Sequence, residues 1–423
     1  IKEDDPDAAA GIFNDLVNTA KESLNDGANL SVIRSIAGDL SSQEDKNLSR
    51  RLFGIYGDKL IEASPLPDDL KENAMDFLGQ GNVYLAKKLF EAYLGTFGED
   101  KAARAKATVE IAGLFANKDT GEAIDPVYAE ELYKKSFDGS GMQVFDESAQ
   151  YRRAFNLERM KENGPASTEY KNLLSNYKDY EDKYFVLFRL GVLSAYALRQ
   201  TETSMEYFSM VADGSGSPSL VLSSIYQLGL LNHYGGDLAK AEGFYAAILE
   251  KAKSFGIDVE KDEICRMAQE RLVELTEKKE IKYGLKLYLD AIFKRSDETV
   301  LPINVDLTAN PPKETISKDL RLLVTTSNSQ TGCMTPTYSY QWSGQTGVVS
   351  NIPNVPELTT NYPEDGIKVV QVVVLGPQGP EGAAFDMVEI QGSGSSEQGT
   401  VKASPENNTQ TEPGTQNPDK SND

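Results

Sequence analysis

From the N-terminus to about residue 277, apolar residues recur three and four positions apart, as in Phe13, Leu16, Val17 and Ala20, or Leu52, Ile55, Tyr56 and Leu60. That spacing puts them on one face of an α-helix. The runs are broken by short stretches of turn formers: Asp26-Gly27, Pro65-Leu66-Pro67-Asp68, Gly164-Pro165, Gly214-Ser215-Gly216-Ser217-Pro218 and Gly235-Gly236-Asp237. Helices joined by such short turns pack antiparallel. After Lys279 the period changes. Ile281, Tyr283, Leu285, Leu287, Leu289, Ala291 and Phe293 alternate with period two, which predicts a strand over 281–293. Further strands are predicted at Leu301–Thr308, Leu320–Thr326, Thr337–Trp342, Ile367–Leu375 and Phe385–Ile390, separated by Pro, Gly, Asn and Asp. So many short strands in this span predict a sandwich. From Gln391 onward the chain has no aromatic, Leu, Ile or Met residue, and a flexible tail is expected.

Within the helical part the pattern repeats. Ile225-Tyr226-Gln227-Leu228-Gly229 is followed by Gly236-Asp237, then by Ala241 and Tyr245. Small residues fall where two antiparallel helices approach, and large ones fill the gaps between. This resembles the tetratricopeptide repeat, with Leu-Gly in helix A, a Gly-Asp turn, and a small residue followed by an aromatic in helix B. The frame recurs in Leu190-Gly191 with Ser204 and Phe208, and in Ala74 and Phe77 with Gly81, Ala86 and Phe90. Ile111-Ala112-Gly113-Leu114, with its longer turn before Tyr128-Ala129 and Tyr133, is similar to the Sel1-like variant. Five helix pairs are expected between residues 66 and 254, with a capping helix at 259–277. The C-terminal strands resemble immunoglobulin-like and PKD-like domains, with Tyr338, Tyr340 and Trp342 on the inward face of a central strand.

The expected fold is therefore multidomain, α then β. N-terminal helices occupy 1–64, a helical-hairpin repeat solenoid 65–277, an antiparallel β-sandwich 280–391 and a flexible tail 392–423. The resemblance implies a concave groove lined by the A helices, which binds another protein. Counting from Leu228-Gly229 assigns Tyr226, Gln227, Leu230, His233 and Tyr234 to that groove, and counting from Leu190-Gly191 assigns Phe185, Phe188, Arg189 and Tyr196.

Charge and chemistry narrow the function. Asp and Glu number 65 against 43 Lys and Arg, for a net charge of -22. Nucleic acid and anionic membrane surfaces are repelled by such a chain. No apolar run reaches the roughly 18 residues a membrane span needs. One histidine and two cysteines, Cys265 and Cys333, leave little for zinc sites or imidazole catalysis. Both cysteines are expected to be free thiols.

The remaining motifs read as structure. Gly79-Gln80-Gly81 joins two helices where a dinucleotide fingerprint needs a strand before it. Asp138-Gly139-Ser140-Gly141 and Asp213-Gly214-Ser215-Gly216 lack the alternating acids of a calcium loop. Glu130-Glu131 and Glu181-Asp182 fit solvated helix faces better than glycosidase acids. Trp342 with Tyr340 fits a packed core better than a sugar-stacking platform.

No cofactor, metal or catalytic residue is expected. The expected function is a noncatalytic scaffold or assembly subunit that binds another protein. A self-assembling subunit that binds further copies of itself, through strand 281–293 or the tail, is the second reading, and a carbohydrate-binding accessory protein the third. The acidity, the polar tail and the sandwich resemblance point to an extracytoplasmic setting. The start at Ile1 fits either a removed leader or a chain that begins further upstream.

Overall fold

The computed structural model of the chain describes residues 46–63, 66–116, 124–140, 145–294, 303–328, 338–348, 352–377 and 379–392. The expected tail, Cys333 and the helices expected before residue 46 lie outside these residues.

Thirteen helices are described before the strands: α1 (Lys46–Ala63), α2 (Pro67–Gly79), α3 (Val83–Gly95), α4 (Lys101–Phe115), α5 (Pro126–Ser140), α6 (Glu147–Arg159), α7 (Asn163–Asn176), α8 (Lys183–Val192), α9 (Thr201–Ala212), α10 (Pro218–Gly235), α11 (Leu238–Ser254), α12 (Glu263–Thr276) and α13 (Tyr283–Phe293). Their ends follow local chemistry. Pro67 and Pro218 stand in the first turns of α2 and α10, where a missing N–H costs nothing. Carboxylates of Asp100, Asp146, Asp237 and Asp262 accept from amides in the first turns of α4, α6, α11 and α12. Gly236, at φ 88°, ends α10 in the left-handed region, and Asp237 then opens α11.

The helices pair as α2/α3, α4/α5, α6/α7, α8/α9 and α10/α11, an array of helical hairpins. The small residues of the repeat frame do the steric work it assigns them. A Cβ on Gly229 would lie 2.6 Å from Cε1 of Tyr245, and one on Gly191 would lie 2.6 Å from Cε1 of Phe208. Both rings are buried and cannot yield. Gly229→Ala is therefore expected to destabilise the array by about 1–3 kcal/mol through overpacking, more than the helix propensity it gains. Gly243, exposed in α11 with nothing near its Cβ position, is the control. Gly243→Ala should stabilise by about 0.5–1 kcal/mol, and paired thermal melts of the two variants read both signs.

The predicted strand over Ile281–Phe293 is a helix, so the region 280–391 opens with α13 instead of a strand. Leu285, Tyr288 and Leu289 are buried at helical spacing, and alternation of Leu285, Leu287 and Leu289 coexists with that pattern. Lys282 joins α13 to α12 by donating its amide to Glu274 Oε1 at 2.9 Å.

Among the described residues seven strands follow: β1 (Ile303–Asn310), β2 (Lys313–Thr315), β3 (Leu320–Asn328), β4 (Ser339–Gly344), β5 (Glu357–Thr360), β6 (Gly366–Gly376) and β7 (Gly379–Gln391). One sheet has the order β1-β3-β5, the other β2-β7-β6-β4. All pairs are antiparallel except β2 with β7, which is parallel. Leu307, Leu322 and Val324 of the first sheet meet Trp342, Val370, Val372, Val374, Val388 and Ile390 of the second in one core. Trp342 is buried there, as its strand position predicts, and its Nε1 donates to the Val355 carbonyl at 3.0 Å.

The second sheet has no solvent face along β6. Ile367, Val369, Val373 and Met387 point away from the sandwich core and join the core of helices α6–α13. This is why Ile367–Leu375 reads as an almost unbroken apolar run: a strand covered on both faces has no polar side to alternate with. A separate core runs from Leu52 to Phe145 and includes no strand residue.

Candidate functional site

The A helices of the later hairpins, α6, α8 and α10, together with α12 and α13, carry the sandwich. The side the repeat frame assigns to a partner groove is occupied by β6, β7 and α13 of the same chain. Three clusters of charge lock this seam.

In the first, Arg159 at the end of α6 forks onto Asp386 of β7, Nη1 to Oδ1 at 2.8 Å and to Oδ2 at 2.9 Å. Its Nη2 donates to the Ala309 carbonyl at 3.2 Å. Lys161 Nζ donates to the Leu307 carbonyl at 2.8 Å and to Asp386 Oδ1 at 3.1 Å. Asp386 Oδ2 also accepts the Ala309 amide at 2.7 Å. These side chains thus satisfy backbone groups of β1, an edge strand of its sheet. Lys161 does this from a left-handed backbone, φ 62°, at a hairpin turn where Gly81 and Gly236 serve α2/α3 and α10/α11, and Arg199, at φ 56°, serves α8/α9.

In the second cluster, fully buried Arg189 of α8 bridges two carboxylates: Nη1 to Glu158 Oε1 at 2.6 Å and Nη2 to Glu389 Oε2 of β7 at 3.0 Å. Tyr170 donates to Glu158 Oε2 at 2.9 Å, and Lys313 of β2 reaches Glu389 Oε1 at 2.9 Å. The Arg189 guanidinium also lies over the Phe155 ring, 5.2 Å from its centroid. Burial alone would raise the Asp386 and Glu389 pKa values. The surrounding cations overcome it, Arg159 and Lys161 for Asp386, Arg189 and Lys313 for Glu389, and both carboxyls are held below the usual range.

A depressed folded pKa stabilises above the unfolded value, near 4, and that contribution is lost as pH falls through the folded value. Acid should therefore open the seam. Hydrogen exchange of β7 amides is expected to accelerate below about pH 4, ahead of the α2–α5 amides, once intrinsic rates are corrected.

In the third cluster, buried Asp262 at the start of α12 accepts the Cys265 amide at 2.7 Å. Beside it Glu263 Oε1 accepts the Gly347 amide at 3.0 Å.

The residues assigned to a groove from sequence divide into two sets. Arg189, Tyr196, Gln227 and Tyr234 belong to the seam. Tyr196 stands in a π-turn, Leu193–Ala197, that follows α8, and packs on Tyr288 and Phe293 of α13 and Phe385 of β7, with ring centroids 5.7, 6.2 and 5.9 Å away. Its hydroxyl donates to Gln227 Oε1. Tyr234 packs on Phe293 and donates to Asp290 Oδ1 at 3.0 Å.

Phe188, Tyr226 and His233 instead pack within their own hairpins, Phe188 on Phe208 and the other two on Tyr245. Burial, then Arg271, pushes the His233 pKa down, so it stays neutral at pH 7. Leu230 is buried and Phe185 partly buried in the same core. Truncating Phe188 and Tyr226 together would therefore test hairpin packing before it tested binding.

Sequence reasoning did not single out Arg159, Lys161, Glu158, Asp386 or Glu389. Lys161 at a turn position where glycine is usual was the signal available. Among the described residues, no group of three or more His, Cys, Asp and Glu side chains could hold a metal ion. No described helix is long and apolar enough to cross a membrane. Cys265 is a free, buried thiol whose pKa burial pushes up.

No family model matches this chain, and no curated protein matches it. Among solved structures, it is similar over its helical part to pilF of Pseudomonas aeruginosa, at 15% identity and a TM-score of 0.29, covering 50% of this chain and 89% of that one. It is also similar to a Rap protein complexed with competence and sporulation factor, at 12% identity and a TM-score of 0.26, covering 64% of this chain and 86% of that one.

Proposed function

We propose that this chain is a noncatalytic protein-binding scaffold or assembly subunit whose partner surface lies on the early hairpins, α2–α5. One observation supports this most: the later A helices already hold the chain's own sandwich, while the core from Leu52 to Phe145 includes no sandwich residue. The early hairpins also present Met75, Tyr84 and Val127 to solvent. Binding at Arg189, Tyr196, Gln227 and Tyr234 would first require the sandwich and α13 to leave. In this reading the sandwich is an immunoglobulin-like or PKD-like module, the α4/α5 hairpin with its long turn is Sel1-like, and the setting is extracytoplasmic.

The carbohydrate reading is weaker, because Trp342 is packed inside the sandwich. Self-assembly is the alternative, although 281–293 can no longer supply a strand to it. Photo-cross-linking groups placed at Met75 and Tyr84, with Val355 on the sandwich as control, separate these readings in native source material. Adducts to a different protein at Met75 or Tyr84 support the scaffold. Adducts only to further copies of this chain support self-assembly, and heterologous adducts confined to Val355 move the partner surface to the sandwich.

A further inference from the structure

In the hairpins α8/α9 and α10/α11, the glycine of the first helix is covered by a buried ring of the second, Gly191 by Phe208 and Gly229 by Tyr245. Gly113 of α4 holds the same place in the α4/α5 hairpin, yet no ring carbon comes that close. A Cβ on Gly113 would lie 3.3 Å from Arg152 Nη1 and 3.9 Å from Tyr133 Oη. Both groups can donate hydrogen bonds, and both reach one spot above α4.

Neither donor is used by the described residues. Tyr133 is fully buried, and its hydroxyl has no hydrogen-bond partner among them. Burial pushes its pKa up, so the hydroxyl keeps the proton it would donate. Arg152 is exposed, and no described carboxylate pairs with it. The other arginines of α6 are committed, Arg153 to Glu130 and Glu169, and Arg159 to Asp386.

The spot borders the sandwich without lying beneath it. Arg152, Phe155 and Arg159 fall on one face of α6, three and four residues apart. Asp386 of the sandwich takes Arg159, and the Arg189 guanidinium lies over Phe155. Exposed Arg152 is the next position along that face. On α4, Lys106 is exposed without a described partner, on the same face as Gly113 and about 10 Å before it along the axis. The acid between them, Glu110, is paired with Lys71 at 3.3 Å. Asp146, at the start of α6, accepts the Ala149 amide at 2.7 Å.

We propose that Arg152, Tyr133 and Lys106 form a carboxylate-binding subsite over Gly113, which takes side-chain carboxylates from an acidic segment of a partner protein. This rests on the reading that the partner surface lies on the early hairpins, and adds the chemistry of what binds there. The guanidinium offers one charge and a fork of donors that matches a planar carboxylate, with the phenol as a further donor. Lys106 takes a second acid of the same segment. Gly113 leaves the room, since a Cβ there would crowd Arg152. The chain's other acids do not forbid this, because at physiological salt charges more than about 8 Å away are largely screened.

The test is fluorescence anisotropy of the full chain with a labelled, end-blocked hexaglutamate peptide, against hexaglutamine of the same build. Hexaglutamate should bind at least about tenfold more tightly, and Arg152→Gln should remove that preference. Tyr133→Phe, which keeps the ring, should weaken hexaglutamate about three- to tenfold, with thermal melts confirming the fold. Lys261→Gln, in the exposed turn between α11 and α12, should change nothing. No preference for hexaglutamate in the wild type, or a preference that survives Arg152→Gln, overturns the proposal. An equal loss in Lys261→Gln does so too, since it marks a general attraction for polyanions. Self-association that is lost in Arg152→Gln, without hexaglutamate binding, assigns the arginine to a second copy and likewise overturns it. Heterologous adducts at Met75 or Tyr84 with no hexaglutamate preference overturn the subsite alone and leave the partner surface standing.

Discussion

Arg189→Met is expected to cost about 3–5 kcal/mol of stability, because it leaves Glu158 and Glu389 buried without the cation between them. The side chain is fully buried, so solvent cannot take over its role. The damage should be specific to the seam. In a cycle with Glu389→Gln, the two changes should couple by about 0.5–3 kcal/mol, since each removes a partner of the other. Thermal or urea melts of the four proteins read this directly. An Arg189→Met variant within about 0.5 kcal/mol of the wild type would mean that Arg189 does not bridge the two parts.

Trp342→Ala should cost a similar amount, about 3–5 kcal/mol, by opening a cavity between the sheets and leaving the Val355 carbonyl without its donor. The shared core decides how far the damage spreads. A free-standing sandwich would unfold alone and leave every helix intact. Here Ile367, Val369, Val373 and Met387 belong at once to the sandwich's second sheet and to the core of the later helices. Hydrogen exchange in Trp342→Ala is therefore expected to accelerate in α10 and α13 along with β6, while α2–α4, in their own core, keep their protection. Loss of protection confined to the strands would show two independent domains.

The hairpins were legible in the sequence because their determinants are local. A Gly-Asp turn, a small residue at each close approach and an aromatic opposite it are all written within some thirty residues, and Gly229 against Tyr245 shows why those residue types recur. The character of α13 was not legible from alternation alone. Its Leu285, Leu287 and Leu289 satisfy period two, while Leu285, Tyr288, Leu289 and Ile292 satisfy the helical period, and packing on β4, β6 and β7 selects the second.

Docking of the sandwich depends on residues far apart in sequence, so no local pattern encodes it. Its traces were indirect: the unbroken apolar run of β6, and Arg159, Lys161 and Arg189 gathered on one side of an acidic chain. The repeat frame assigns Arg189 to a partner groove along an A helix. What it meets there is Glu389, 200 residues further along the same chain.

The central claim is that the sandwich is seated on the A helices of its own chain, and zero-length carbodiimide cross-linking tests it most directly. Lys161 Nζ lies 3.6 Å from Asp306 Oδ1 of β1, and both side chains reach solvent. Lys71 and Glu110, 3.3 Å apart between α2 and α4, provide the internal control. In the monomeric fraction of the full chain, both pairs should yield cross-linked peptides. A Lys71–Glu110 link without any Lys161–Asp306 link in that fraction would contradict the claim.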